Sequence, residues 1–479
     1  MSFHTGRFRG RQGLVLAGAI PVLTVMALAG TPAQASPDAR DLANLQAQVR
    51  NGTLLGTHGV RTMCASGCHA DVVTTSPGSD AVLSTTTPVG LGATDLARAY
   101  SLPPASVGTK GTIALISAGA NTHLESDLAT YRKQYGLPAC TTANGCLKIT
   151  DFHGGPPVTP GTTDEFKESE EHWAVETSLD VDMASAACPD CRIMVVQTPD
   201  IDATGEPDPD GKAVDYATAY QTAVRLGANA VSLSDILGLE SSTVDATYSK
   251  AVFHPGVPLF ASIGDVSSDD SAAKTKANAA GAAGAAGAAG AANKPADDKT
   301  FYTWPADLPW AVGVGGTSLK PVDAARTQFT EKAWHNLTGE CALTMPPGAG
   351  QPASIAANCG GHRASTDVSA IADPASGPAV YDTYAPFTGK PQNWIVSGGT
   401  SASSPFTAAW YVRGSGHTVG AVGPSALYHA PASAFHDVTT DGGSPDTCQK
   451  LGWGAKVCQA GPGWDGPTGL GSPHGLGKF

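Results

Sequence analysis

Short apolar strands alternate with helical segments between residues 111 and 263, and no other feature limits the possible folds as strongly. The strand patterns are continuous apolar runs, and they lie at 111–117, 192–197, 228–234 and 258–263. The helical patterns between them lie at 124–135, 173–187, 213–226 and 243–252. Strands that are apolar on both faces belong to parallel sheets covered by helices. We therefore predict an α/β fold, with a doubly wound, mostly parallel sheet and helices on both faces.

A low-complexity segment interrupts this alternation at residues 272–298, where Ala-Ala-Gly repeats from Ala279 to Ala291. Such a segment has no large apolar side chains with which to build a core. We predict an exposed insertion there. The strand pattern resumes after it at 310–316.

The N-terminus has the order of a secretory signal. Arg7, Arg9 and Arg11 precede an apolar run from Leu14 to Ala29, and a small-x-small cleavage pattern ends at Ala35. We predict a signal peptide at 1–35 and a secreted, extracellular protein. Residues 36–91, rich in Thr, Ser and Gly, are predicted to be a short, poorly ordered leader or pro-segment, followed by the main domain at 92–479.

The net charge and the cysteine content are consistent with the predicted secretion. The formal net charge of −13 disfavours nucleic acid and anionic membranes as partners. The ten cysteines form five near-neighbour pairs, namely Cys64/Cys68, Cys140/Cys146, Cys188/Cys191, Cys341/Cys359 and Cys448/Cys458. In an oxidising compartment such spacing predicts short-loop disulfides. Cys188-Pro-Asp-Cys191 also matches half of a zinc site or a redox pair.

Three local patterns carry the candidate chemistry. Glu176 and Asp180 stand four residues apart on a helix with apolar neighbours, so they share one face and raise each other's pKa. Ser401 follows a glycine-rich turn and lies at a helix start, with Pro405 predicted in the first turn. Asp265 ends the strand pattern Phe-Ala-Ser-Ile-Gly-Asp. Taken singly, each pattern also fits a surface acidic pair, a helix cap or a plain turn.

In chain order, E-x-x-x-D, a strand ending in Gly-Asp and G-T-S-x-x-x-P resemble the sedolisin family of secreted, subtilisin-like serine-carboxyl peptidases. The resemblance runs from about residue 92 to 479, outside the Ala/Gly insertion. It implies that Ser401 is the nucleophile and Glu176 the general base and acid. Asp180 would orient Glu176, and Asp265 would help to form the oxyanion hole. The implied substrates are proteins or peptides, cleaved at acidic pH by a monomer.

The C-terminal region adds to this resemblance. Phe-His-Asp437-Val438 is followed by Gly461-Pro-Gly463-Trp-Asp465, which looks like the calcium site of the family. One structural Ca²⁺ is implied, since Asp437 and Asp465 offer carboxylate oxygens. Val438, Gly461 and Gly463 would add backbone carbonyls.

Two other functions fit the same sequence. A Ser/His/Asp peptidase of the subtilisin type is disfavoured, because the first strand ends Leu115-Ile-Ser117 without an Asp and His153-Gly-Gly lacks a following helical run. An inactive, secreted binding or structural protein on the same scaffold is the second. It is motivated by the unusual Ile263-Gly-Asp265-Val neighbourhood and the short leader.

Overall fold

The structure is a computed structural model. It describes residues 39–63, 70–199, 209–238, 249–265, 303–335, 337, 339–343, 345–415, 421–442, 448–449, 452–477 and 479. The predicted signal peptide at 1–35, the Cys64/Cys68 pair and the Ala/Gly insertion at 272–298 lie outside the described residues.

The described strands follow one another along the whole chain. They are β1 (Gly59–Thr62), β2 (Asp71–Thr74), β3 (Thr112–Ala118), β4 (Leu147–Asp151), β5 (Arg192–Thr198), β6 (Ala230–Leu233), β7 (Leu237–Gly238), β8 (Leu259–Ser262), β9 (Thr303–Trp304), β10 (Ala311–Pro321), β11 (Phe329–Ala333), β12 (Cys341–Ala342), β13 (Arg363–Ala364), β14 (Val368–Ile371), β15 (Ala379–Asp382), β16 (Asn393–Gly398), β17 (Phe435–His436) and β18 (Ser472–Pro473).

The described α-helices are interleaved with these strands. They are α1 (Ala39–Asn51), α2 (Ala93–Ala99), α3 (Leu124–Gln134), α4 (Asp164–Ala187), α5 (Pro209–Arg225), α6 (Ala353–Ala356), α7 (Thr400–Ser415) and α8 (Ser425–His429). None of the helices in the described part of the chain combines the length and the hydropathy needed to span a bilayer.

The central sheet has the order β11-β10-β8-β6-β3-β5-β4, and β14 also pairs with β10. All its pairings are parallel except that of β10 with β11. The strand order reverses next to β3, whose neighbours β5 and β6 lead to opposite edges of the sheet. This confirms the predicted doubly wound, mostly parallel α/β fold.

Helices cover both faces of this sheet. Along β3, Ile113 and Leu115 pack into the cluster that contains α4 and α7, whereas Ala114 and Ile116 pack into the cluster that contains α5. Successive strand residues point to opposite faces, so each face needs its own apolar set. This requirement explains why the strands are continuous apolar runs.

Residues 36–91 depart from the prediction. The described part of this segment forms α1 and the antiparallel pair β1–β2, and β2 pairs with β16. Leu45, Val49 and Leu54 pack with Val396 of β16, so the segment buries apolar side chains against the main domain. The expectation of poor order is therefore wrong. The composition of residues 36–91 is polar overall, and their few apolar side chains are nevertheless sufficient for packing.

The predicted disulfides are confirmed at the four pairs within the described residues, namely Cys140–Cys146, Cys188–Cys191, Cys341–Cys359 and Cys448–Cys458. Each closes a short loop, as the spacing predicted. Cys188 and Cys191 are therefore joined to each other, and the zinc-site alternative is wrong for this pair.

We expect Leu54→Ala to lower the free energy of unfolding by about 2–5 kcal/mol, because it leaves a cavity in the cluster between α1 and β16. Denaturant unfolding followed by fluorescence measures this change. Val107→Ala, at a side chain that is 47% exposed, is the matched control. Equal stability of the two variants would mean that residues 39–91 contribute nothing to the folded domain.

Candidate active site

Three elements bring the predicted residues to one edge of the sheet. The parallel neighbours β6 and β8 end at Leu233 and Ser262, so the residues that follow them emerge side by side. Helix α7 begins at Thr400, after β16, and packs against β6, β8 and α4. Ligand and catalytic groups in open parallel sheets gather at the carboxyl ends of the strands. The observed placement follows this rule.

Helix α4 supplies the acidic pair. Thr163 caps it by accepting a hydrogen bond from the backbone N–H of Phe166 at 3.5 Å. From Trp173 onward the helix is buried on all sides, because it packs against β3 of the sheet, its neighbour α7, and α2, α3 and β15. The side chains of Glu176 and Asp180 are completely buried. The interpretation of this pair as a solvated surface pair is thus wrong.

The turn before α7 requires glycine and positions Ser401. Gly399 has a φ of 90°, a conformation that side chains other than glycine rarely adopt. Ser401 is the second residue of α7 and is fully buried. Pro405 lies in the second turn, so its predicted place in the first turn is wrong. Because proline has no N–H, the Ser401 carbonyl lacks its usual helical partner.

Ser234 connects Ser401 with the acidic pair. Its hydroxyl donates to Asp180 Oδ1 at 2.8 Å and lies 3.5 Å from the Ser401 carbonyl oxygen. In return, the Ser401 hydroxyl donates to the Ser234 carbonyl at 3.4 Å. The sequence analysis did not select Ser234. Its position at the end of a predicted strand was the available signal.

Burial raises the pKa of Glu176 well above its usual range, and the charge of Asp180 raises it further. The Ser401 hydroxyl is near enough to stabilise the ionised form and lower this pKa. Neither carboxylate oxygen of Glu176, however, accepts a hydrogen bond from any of the described residues. The Ser401 hydroxyl donates to the Ser234 carbonyl, and rotation about its C–O bond can redirect its proton toward Glu176.

Burial also raises the pKa of Asp180, while the Ser234 hydroxyl lowers it. Two carboxyl groups this close in a buried site share one proton, because both cannot ionise without strong repulsion. Once one proton has left, the pair carries one negative charge, and repulsion between the two carboxylates resists loss of the second proton. It can accept a proton from a neighbouring hydroxyl.

Asp265 follows β8 and contacts the first residue of α7, close to the acidic pair. Its Oδ1 accepts hydrogen bonds from the backbone N–H and the hydroxyl of Thr400, at 2.8 and 2.7 Å. Its Oδ2 is buried and has no hydrogen-bond partner among the described residues. Burial raises the pKa of Asp265 well above its usual range, and the charge of Asp71 raises it further. Burial thus favours the neutral, proton-donating form of this carboxyl group.

Asp71 is the second residue that the sequence analysis missed. It is buried on β2, where it pairs with Gly398 just before the turn to Ser401, and its Oδ1 accepts from the Thr62 hydroxyl at 2.7 Å. No sequence signal marked it, because the segment around it was predicted to be poorly ordered. The hairpin β1–β2 thus places a carboxyl group beside Asp265.

Known proteins resemble this chain in sequence and in structure. No protein-family model matches the chain. Kumamolisin from Bacillus sp. (strain MN-32) is 28% identical over 404 residues, which are 80% of this chain and 62% of kumamolisin. Pseudomonas sedolisin, a serine-carboxyl proteinase solved with two molecules of pseudo-iodotyrostatin, superposes with a TM-score of 0.53 at 18% identity. That match covers 80% of this chain and 95% of sedolisin.

The resemblance to the sedolisin family is confirmed. The structural match shows the shared subtilisin-like fold, and the sequence match extends over most of the chain. The chain spans 62% of the length of kumamolisin, less than two thirds of it. No histidine is among the partners of Ser401, Glu176 or Asp180 in the described part of the chain.

The residues of the predicted calcium site also come together. The backbone N–H of Gly461 donates to Asp465 Oδ2 and that of Gly463 donates to Asp437 Oδ2, both at 2.9 Å. The Val438 carbonyl and Asp465 Oδ1 both accept from the Thr468 hydroxyl.

Burial raises the pKa of Asp465 to about 7, and the charge of Asp437 adds to this effect. Two carboxyl groups that repel each other beside backbone carbonyl oxygens offer the oxygen ligands that Ca²⁺ takes. No cluster of three metal-binding side chains occurs among the described residues. The backbone carbonyls would therefore have to complete the coordination.

We expect the protein to be more stable at pH 5 than at pH 8 in the presence of chelator. Burial and the charge of Asp307 raise the pKa of Glu340 to about 8, and the active-site carboxyl groups are raised as well. A folded pKa above the unfolded value of about 4.3 means that the folded state binds more protons in this window. Stability is therefore lost as the pH rises toward 8.

Melting temperatures measured between pH 4 and 8 check this dependence. Glu340→Gln should flatten the profile between pH 5 and 8, because it removes one of the titrating groups. A melting temperature that rises toward pH 8 would show that these carboxyl groups are ionised in the folded state without penalty.

Proposed function

We propose that this protein is a secreted serine-carboxyl endopeptidase that cleaves peptide bonds at acidic pH. The observation that carries the proposal is the convergence of Ser401 with the buried pair Glu176 and Asp180, and of Asp265 with the same helix start. The acidic pair supplies a base without a histidine. The similarity to kumamolisin and sedolisin supports the reaction class.

The proposed reaction begins when Ser401 attacks the carbonyl carbon of the scissile peptide bond and its hydroxyl proton passes to Glu176. The proton that the pair shares lies on Asp180, whose Oδ1 accepts from the Ser234 hydroxyl, so Glu176 is the carboxylate that takes the serine proton. The developing oxyanion accepts a hydrogen bond from neutral Asp265. Glu176 then donates the proton to the leaving amine, and water resolves the acyl-enzyme by the same steps.

The same arrangement explains why the proposed peptidase activity requires acidic pH. Asp265 must stay protonated to donate, and this condition fails as the pH rises through its raised pKa. Below that limit, the shared proton of Glu176 and Asp180 leaves one carboxylate to accept the serine proton. Export through the predicted signal at residues 1–35 would deliver the enzyme to compartments in which acid and disulfides coexist.

We further propose one structural Ca²⁺ at the site formed by Asp437, Val438, Gly461, Gly463 and Asp465. Carboxylate and carbonyl oxygens of these residues would hold the ion. Bound Ca²⁺ would neutralise the two carboxylates and connect the loop after β17 with the loop before β18. The site lies on residues that carry none of the proposed proton transfers.

Hydrolysis of an acid-denatured protein at about pH 4 tests the function. Ser401→Ala should lower the rate by about 10³-fold or more, and Asp265→Ala by about 10²–10³-fold. Ser404→Ala is the matched control, because this serine is buried on the same helix and contacts Ser232 at 2.8 Å. Equal rates for Ser401→Ala and the wild type would exclude the assigned nucleophile. An inactive but folded wild-type protein would favour a binding role.

Removal of calcium should lower the melting temperature by several degrees at about pH 7, because a ligand that binds only the folded state stabilises it. Calorimetry with and without chelator measures the difference. The variant Asp465→Asn should lose this sensitivity. Identical melting curves of the wild type with added calcium and with chelator would eliminate the proposed ion.

A further inference from the structure

A buried charge pair stands beside the candidate active site and has no role in the steps above. Asp235 follows Ser234 directly, so it emerges from the carboxyl end of β6 next to the Ser401 segment. Its side chain is buried, and its Oδ2 accepts a hydrogen bond from the Tyr216 hydroxyl. The same oxygen lies 4.0 Å from Lys212 Nζ.

Lys212 and Tyr216 are both supplied by α5. They stand four residues apart near the start of that helix, so both face the same direction. The Lys212 side chain is only 5% exposed, which is rare for a lysine. Its ammonium group also lies 5.7 Å from the centre of the Trp173 ring, where the aromatic face attracts a cation.

These contacts connect the pair with the general base. Trp173 stands three residues before Glu176 on α4, so Lys212 touches the helix that carries the base as well as Asp235. The charge of Asp235 acts on Glu176, as do those of Asp180 on the same helix and Asp265 after β8. In the described part of the chain, the titratable groups near Asp235 include Lys212 and Tyr216 of α5 and Glu176 of α4.

We propose that Asp235 is a positioning residue of this active site, and that Lys212 and Tyr216 hold its carboxylate where its negative charge acts on the proton of Glu176. Asp235 favours the protonated form of Glu176, and Lys212 offsets part of this effect. The pair thus sets the pH at which the base becomes available. This inference rests on the proposed function.

The pH dependence of kcat/KM distinguishes this role from a structural one. In Asp235→Asn the acidic limb should move to lower pH by about 0.5–1 unit, because a like charge beside Glu176 is lost. In Lys212→Gln the same limb should move to higher pH. The double variant Lys212→Gln/Asp235→Asn should return close to the wild-type profile.

Asp127→Asn is the matched control. Asp127 is a buried carboxyl group that accepts hydrogen bonds from Thr383 and is not among the groups that act on Glu176. Its substitution should change stability without moving the acidic limb. An acidic limb that stays in place in both Asp235→Asn and Lys212→Gln, whatever the loss of rate, would overturn the proposal. If Asp235→Asn does not fold, the opposite shift in Lys212→Gln carries the test alone.

A second readout separates this inference from the proposed function. In Ser401→Ala protein labelled with isotopic glutamate, NMR follows the titration of the Glu176 carboxyl directly, and Glu176→Gln assigns its signal. Adding Asp235→Asn should shift this titration to lower pH even when no substrate is cleaved. If the wild type is inactive but the titration of Glu176 still shifts in Asp235→Asn, the proposed peptidase function is wrong and the electrostatic role of Asp235 is supported. An unchanged titration would contradict the role.

Discussion

A carboxyl group buried away from water must keep its proton, share one or face a cation, and this constraint governs the active edge of the sheet. Glu176 and Asp180 are fully buried four residues apart on one helix. In the proposed mechanism, sharing one proton leaves this pair with a base that functions in acid. Burial beside Thr400 raises the pKa of Asp265 and so favours the neutral form that an oxyanion partner requires. Every proposed catalytic role therefore depends on burial rather than on an imidazole.

The fold provides this burial through the order of its strands. Because β6 and β8 are parallel neighbours, Ser234 and Asp265 emerge at the same edge. Helix α4 lies beside α7 on one face of the sheet, and α2, α3 and β15 cover it further, so its acidic face meets the start of α7 and not solvent. The hairpin β1–β2 closes the edge next to Gly398 and adds Asp71. A polar site is thus enclosed by an apolar framework.

Much of this arrangement could be predicted from local sequence. Continuous apolar runs determined the parallel strands, and the predicted strand at 192–197 differs from β5 by a single residue. Ser401 was found because a glycine-rich turn before a helix has a recognisable composition. The acidic pair was found because four-residue spacing defines a helix face. Each of these signals depends only on residues close together in the chain, so a single sequence is enough to reveal it.

The remaining features depend on contacts between distant segments. Asp71 acts on Asp265 only because β2 pairs with β16, more than 300 residues further along the chain. Lys212 reaches Asp235 and Trp173 from a third element. The packing of Leu54 against Val396 was likewise hidden, because no local periodicity marked residues 36–91. Long-range pairing of this kind leaves no pattern in composition or spacing.

In the proposed mechanism, a carboxyl pair activates the hydroxyl of Ser401. Covalent labelling with a fluorophosphonate probe at about pH 4, with the modified residue located by peptide mapping, tests it most directly. The account predicts that Ser401 is labelled in the wild-type protein and that labelling is nearly abolished in Glu176→Gln. Equal labelling of Ser401 in both proteins would show that another group takes its proton, and would contradict the account.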